Sequence, residues 1–304
     1  MVSDPRSGIH GPDSVAWQLN RDVMNFVGAG RAALLQLAHP YVAHGVDQHS
    51  KTRTDARGRF QRTFDNVFAM TFGDLDDAFR AARRVHGVHN RIHGAIDEDV
   101  GRYRRGHQYR ANDPHALMWV HATLVESVVC VRRFIGRPLP RRAIETYYQE
   151  SKRFALLFGI PDHIVPPTWP AFREYFDRMV ASAEIAVGRP GREIAEFLFH
   201  PPTPALGPLF AWYRVITAGL LPARLREPFG MQYGAAERLL FALSMPAIGA
   251  GAGLVPGPFR FLPGYIEALE RVGRAPSSRY GSLADRLALG GMTLWPGRRM
   301  RRAA

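Results

Sequence analysis

The sequence predicts an all-α protein, a single multi-helix domain. Three observations carry that expectation: apolar residues recur with helical spacing in almost every segment, no stretch alternates as a half-buried strand would, and no Asn-Gly hairpin signal occurs. With 304 residues, 46% of them hydrophobic and 22% charged, the chain can bury a substantial core.

The elements follow in order. Ser14 caps a first helix to about Val27, Gly28-Ala-Gly30 interrupts it, and Arg31 to Ala38 resumes the pattern before Pro40. A short segment runs from His39-Pro40 to Val46. Asp55 opens a helix through Met70, and Asp74 opens another through about His93. Gly101 to Ala111 reads as a polar, Arg-rich connection. Asp113-Pro114 is a strong helix start, with proline at the first helical position and the helix running to Phe134. Pro140 to Phe158 is next, closed by Gly159 and Pro161. Helices are then expected at Pro170 to Val187, Arg192 to Phe199, Gly207 to Leu221, Gly234 to Ser244 and Gly264 to Val272. No repeat or long linker divides the chain, so the expected organisation is a flexible N-terminus over 1–13, one α domain over 14–273 and an Arg-rich, partly mobile tail over 274–304.

Composition removes several classes of function. Cys130 is the sole cysteine, which precludes an intramolecular disulfide and a cysteine-built zinc or iron–sulfur centre. Residues 1–14 hold no apolar stretch of the kind a secretory signal needs, so a cytoplasmic protein is expected. The net charge of +13 raises nucleic acid and anionic membranes as partners. It is nearly all arginine, with lysine only at Lys51 and Lys152, and it is scattered apart from Arg298-Arg299-Met300-Arg301-Arg302. No nucleic-acid role is therefore expected. The uncharged run between Arg238 and Arg260 contains Pro246, Pro256, Pro258 and several glycines, so it reads as a buried helix to about Ser244 followed by an apolar loop. Peripheral membrane contact is the other use such a run has.

Candidate chemistry concentrates between Arg59 and His93. On one helix Arg59 and Thr63 lie about 40° apart, and His86, His89 and His93 fall within a sector of roughly 60°. The three imidazoles could hold a metal, yet histidines in core or surface positions have the same spacing. His39, His44 and His49 form a second group. His121, in Trp119-Val-His-Ala-Thr123, stands on an otherwise apolar helix, either as a satisfied core histidine or as a pocket-lining group. His-Glu-x-x-His, Glu-x-x-His and Gly-x-Ser-x-Gly are absent, and Gly28-x-Gly30 lacks the third glycine of a dinucleotide fingerprint. A haem needs only one inward imidazole in an apolar helical pocket, a demand that this chain meets.

An ordered set of motifs adds to this reading: Ala32 to Leu37 leading into Ala38-His39-Pro40-Tyr-Val-Ala-His-Gly45-Val46 with His49-Ser50, Arg59-Phe-x-Arg-Thr63 before Phe72-Gly73, Val85-His-x-Val-His89-x-x-x-x-Gly94, Tyr109-x-Ala111-x-Asp113-Pro114, and Trp119-Val-His-Ala122. Over roughly Val15 to Leu243 the chain resembles the MpaB/rubber-oxygenase catalytic domain, to which latex-clearing proteins belong. The resemblance implies an all-α, globin-like core around a b-type haem (iron) cofactor, in an oxidoreductase that uses dioxygen. It also implies His89 as the iron ligand, His86 as a supporting residue, and Arg59 and Thr63 at the haem pocket, with His121 as a further cofactor-binding residue. Asp47 is the nearest counterpart of the family's acidic base. Arg62 stands where latex-clearing proteins carry a lysine, and a guanidinium stays protonated and is a poor iron ligand. These features imply a small, unsaturated, isoprenoid- or lipid-like apolar substrate inside the cell rather than an exported polymer-cleaving enzyme. A non-catalytic haem- or lipid-binding protein on the same scaffold is the alternative.

Overall fold

The computed structural model describes residues 4–50, 56–252, 254–256 and 260–274, without the side chains of 56–60. The fold is mostly α-helical. Helix α1 (Val15–Asn20) is capped by Ser14, whose Oγ accepts from the Trp17 amide, and a 3₁₀ segment (Val23–Gly28) leads into α2 (Ala29–Leu37). Next come α3 (Pro40–His49), α4 (Ala56–Phe72) and α5 (Leu75–His89). Two short antiparallel strands follow, β1 (His93–Ala95) and β2 (Gln108–Arg110), with Gly94 opposite Tyr109. The chain continues through α6 (Pro114–Phe134), α7 (Arg141–Leu157), α8 (Trp169–Ala181), α9 (Arg189–Leu198) and α10 (Gly207–Leu220). A single turn, α11 (Ala223–Arg226), then α12 (Ala235–Ala252) and a terminal helix (Pro263–Arg271) complete the described chain.

Helix α6 is the spine. Asp113 accepts from the amides of His115 and Ala116 at 3.0 and 2.9 Å and satisfies its first turn. It packs against α2, α7 and α8. Trp119 stacks on Phe176 of α8, with centroids 5.3 Å apart, and its indole N–H reaches the Leu35 carbonyl of α2 at 2.8 Å. Among the described helices α6 alone is long and apolar enough to cross a bilayer, but 61% of its apolar window is buried inside the protein, the signature of a core helix. Beside it Arg31 of α2, nearly inaccessible, donates to the Leu220 carbonyl and Ser127 Oγ and pairs with Glu126 at 2.5 Å. Glu126 takes a second guanidinium, Arg173 of α8, also at 2.5 Å.

Two long-range fastenings close the fold. Gly8, at φ +64°, packs so tightly on the α4–α5 turn that a Cβ there would lie 2.1 Å from the Gly73 carbonyl oxygen, so only glycine fits. On the same side Asp13 pairs with Arg274 at 2.5 Å. Asp22 bridges to Phe261, the Leu262 amide donates to the Arg21 carbonyl at 2.7 Å, and Arg260 reaches the Asp22 carboxylate at 3.2 Å. The tail from 275 onward lies outside the described residues.

Three expectations are corrected. Helix α5 ends at His89, so His93 sits on β1 and the three imidazoles do not share one helical face. The helix closes at Asn90, the Ile92 carbonyl then accepts from the Ala111 amide at 2.9 Å, and the Asn112 side chain donates to Asn90 Oδ1 at 2.5 Å, so the chain after His89 is held to the second strand. Strands do occur, as that short pair. Helix α12 continues through Pro246 to Ala252 instead of stopping near Ser244. Phe241, Met245 and Gly249 are buried on one side, and Gly249 approaches the Ile135 carbonyl so closely that a Cβ would lie 1.9 Å from it. That packing offsets the hydrogen bond which proline cannot donate.

Candidate functional site

Four helical stripes and the two ends of the described chain enclose an apolar cavity of about 170 Å³. From α4 come Phe64, Val67, Phe68 and Thr71, and from α6 His121, Leu124, Val125 and Val128, each set spaced i, i+3, i+4, i+7 along one face. Helix α7 adds Tyr147, Ser151 and Phe154, again on a single face, and α1 with the following 3₁₀ segment adds Ala16, Asn20, Asn25 and Phe26. His10 and Leu262 seal it from opposite ends of the sequence.

Most polar groups in this wall are spoken for. Tyr147 donates to Asn20 Oδ1 at 3.2 Å, Ser151 to the Tyr148 carbonyl at 2.7 Å, and Thr71 to the Val67 carbonyl at 2.8 Å. Ser127 Oγ is held by Arg31 at 2.7 Å, and the Asn25 amide group donates to the Leu19 carbonyl at 2.8 Å. Three buried atoms have no protein partner: His121 Nε2, His10 Nδ1 and Asn25 Oδ1. Leaving such groups unpaired costs roughly 1–3 kcal/mol each, so their convergence on one apolar cavity marks a place built to receive something. Burial pushes the His121 imidazole down to about 4, so it is neutral at neutral pH with a lone pair or N–H to offer. Burial lowers His10 as well, helped by the Arg153 charge.

His89 stands elsewhere. It is half-buried in a polar groove of about 700 Å³ that Tyr41, Asn112, Asp113 and the β1–β2 hairpin complete. Burial lowers its pKa, against a hydrogen bond to Asn112 that raises it, while the neighbouring His86 charge adds to the drop. A row of rings connects groove and cavity: His89 meets Phe158 edge-on at 6.0 Å, Phe158 stacks on Phe154 at 5.9 Å, and Phe154 stacks on His121 at 6.0 Å.

Of the other residues nominated from sequence, His86 is exposed near the end of α5 and Thr63 is exposed on α4. The Arg59 side chain lies outside the described residues. Asp47, half-buried on α3, is not among the residues lining the cavity. With burial as the larger cause, Asp47 and Asp97 together push the Tyr109 phenol up to about 12. Sequence reasoning brought only His121 to the cavity. It missed His10 and Asn25, which precede or interrupt the periodic helices and carry no spacing signal.

In donor chemistry alone the cavity suits a haem, because His121 and His10 offer neutral imidazoles with free ring nitrogens among aromatic and aliphatic walls, although His89 lies outside it. The enclosed space is below the roughly 300–1,000 Å³ of ordinary ligand pockets. Phe64 bounds it on α4.

Residues 17–250 match the family described as "ER-bound oxygenase mpaB/B'/Rubber oxygenase, catalytic domain". Uncharacterized proteins of Mycobacterium bovis and Mycobacterium tuberculosis are each 24% identical over 233 residues, covering 73% of this chain and 87% of theirs. No solved structure matches the chain. With the match extending over well more than half of its length, the chain belongs to the mpaB/rubber-oxygenase catalytic-domain family, an oxygenase family.

Proposed function

We propose that this protein is a haem b-dependent oxygenase that uses dioxygen on a small, unsaturated, isoprenoid- or lipid-like substrate. The observation that carries the reading is the unpartnered His121 Nε2 in a cavity walled by Phe64, Phe68, Phe154 and Val67. His89, with His86 beside it, is the proposed iron ligand on the family pattern, and Arg59, Thr63 and Asp47 are its proposed catalytic companions. Haem, when bound, would supply the dioxygen chemistry. The chain supplies the rest. The aromatic wall removes apolar substrate surface from water at about 25 cal/mol per Å² and excludes solvent from the reacting double bond. His121, kept neutral by burial, donates or accepts a hydrogen bond at Nε2 and so orients what enters. We further place the protein in the cytoplasm, with peripheral membrane contact as the source of substrate.

Absorption spectra of the purified protein, His89→Ala and His121→Ala, each supplied with haem, test this alongside oxygen-uptake assays. A Soret band in the wild type that is lost in His89→Ala, with His121→Ala retaining the band but losing uptake, is the expected pattern. Loss of the band in His121→Ala alone exchanges the two roles. A wild type with no Soret band refutes the haem assignment, and haem binding without oxygen uptake over unsaturated terpenoid and fatty substrates favours a carrier.

A further inference from the structure

A second cluster of ligating groups lies outside the cavity, where α3, the segment after β1 and the start of α9 meet. His44 is almost inaccessible, and its Nε2 lies 3.0 Å from Asp97 Oδ1 and 3.6 Å from Glu98 Oε1. The three donor atoms fall within 4.8 Å of one another. We propose that His44, Asp97 and Glu98 form a binding site for a first-row divalent cation of the Zn²⁺ class.

Three independent features carry this. First, His44 Nδ1 lies 2.9 Å from the Pro40 carbonyl, which can only accept, so Nδ1 bears the proton and Nε2 is the ligating nitrogen. A backbone carbonyl behind the distal N–H is the arrangement that orients metal-binding histidines. A proton on Nε2 would serve Asp97, but a single N–H does not bring Glu98 to the same point, whereas a cation uses all three donors.

Second, two carboxylates converge on one imidazole nitrogen. Arg189 occupies Asp97 Oδ2 at 2.6 Å and leaves Oδ1 facing His44 Nε2, and Glu98 Oε1 lies 3.6 Å from the same atom. A divalent ion offsets the negative charge that the two acids bring together.

Third, Glu98 is seated by the backbone. It accepts from the Arg189 amide with both oxygens, at 2.9 and 3.1 Å, and a Cβ at Gly188 would lie 2.2 Å from Glu98 Oε1. Glycine therefore lets the carboxylate rest against the chain. One imidazole with two carboxylates suits zinc or manganese, and zinc binds the more tightly of the two. Asp97 is half-exposed, so the ion keeps a side open to water and can exchange. Its role is to lock α3 to α9.

Chelator-treated protein titrated with Co²⁺ and followed by its visible d–d absorption tests the site without reference to haem or turnover. The expected result is one tight equivalent, displaced by Zn²⁺, with affinity reduced about 10–100-fold or more in His44→Gln and in Asp97→Asn. Circular dichroism checks the fold of each variant, and Asp97→Asn, at a half-exposed position, carries the comparison if His44→Gln does not fold. Absence of a band in the wild type, or equal binding in the folded variants, overturns the proposal and leaves an imidazolium–carboxylate pair. A missing Soret band leaves this proposal untouched.

Discussion

Replacing Glu126 with Gln isolates the electrostatics of the core beside the cavity. Arg31 has a side chain only 4% exposed and makes three polar contacts, two to neutral oxygens and one to Glu126 at 2.5 Å. The isosteric amide removes the only anion among the described residues that pairs with that guanidinium, and turns an N–H group toward one of the two arginines. Arg173 suffers less, because Asp177 at 2.8 Å and solvent remain to it. The loss should therefore come almost entirely from stranding Arg31, about 3–5 kcal/mol for a broken buried pair. Arg31→Met should also cost several kcal/mol on its own, since it strands Glu126 and frees Ser127 from its place in the cavity wall. Joined with Glu126→Leu it should cost much less than the sum, because both desolvation penalties disappear together. Urea unfolding at constant slope gives the values for Glu126→Gln, Arg31→Met, Glu126→Leu and the double variant, and the last three close the cycle. A loss under about 1 kcal/mol in Glu126→Gln, or strict additivity in the double variant, would refute the argument.

Two further outcomes follow from features outside the cavity. Gly249→Ala pushes a methyl group into the backbone carbonyl of Ile135 and should destabilise by about 1–3 kcal/mol or unseat α12; an unchanged thermal midpoint counts against the packing described. His39 caps α3 through Nδ1, which accepts from the Tyr41 amide at 3.2 Å, and burial, partly offset by Asp113 and reinforced by Arg102, holds its pKa down to about 4. The unfolded chain takes up this proton near pH 6.5 and the folded chain only near pH 4. Stability from His39 is thus complete above pH 6.5 and drains away as the pH falls toward 4, by about 2 kcal/mol at pH 5. His39→Asn, which retains a capping acceptor, should flatten that part of the stability-against-pH curve, and an unaltered slope shows that other groups set it.

Helix α6 was readable in full, because Asp113-Pro114 sets its start and one periodic stripe runs to Phe134. His121 could be placed inward for the same reason. The continuation of α12 was hidden, since Pro246 and the glycines after it argue locally for a loop and only contact with Ile135 reverses that. The hairpin was hidden too. His93-Gly-Ala95 and Gln108-Tyr-Arg110 contain no β-branched residue and are joined by a long connection; the pair is anchored by the burial of Tyr109. His10, His44, Asp97 and Glu98 owe their positions to contacts between distant segments, about which helical spacing carries no information.

The meeting of Arg21 and Asp22 with residues 260–262 also bears on the order in which the molecule can be made. His10 and Leu262 line the same chamber from opposite ends of the described sequence. A chain folded from α1 through α12 still has an open wall, and the chamber closes only when Leu262 and the helix after it dock against Arg21 and Asp22. Truncation before Arg260 would yield a helical protein with a solvent-filled cleft in place of a sealed site.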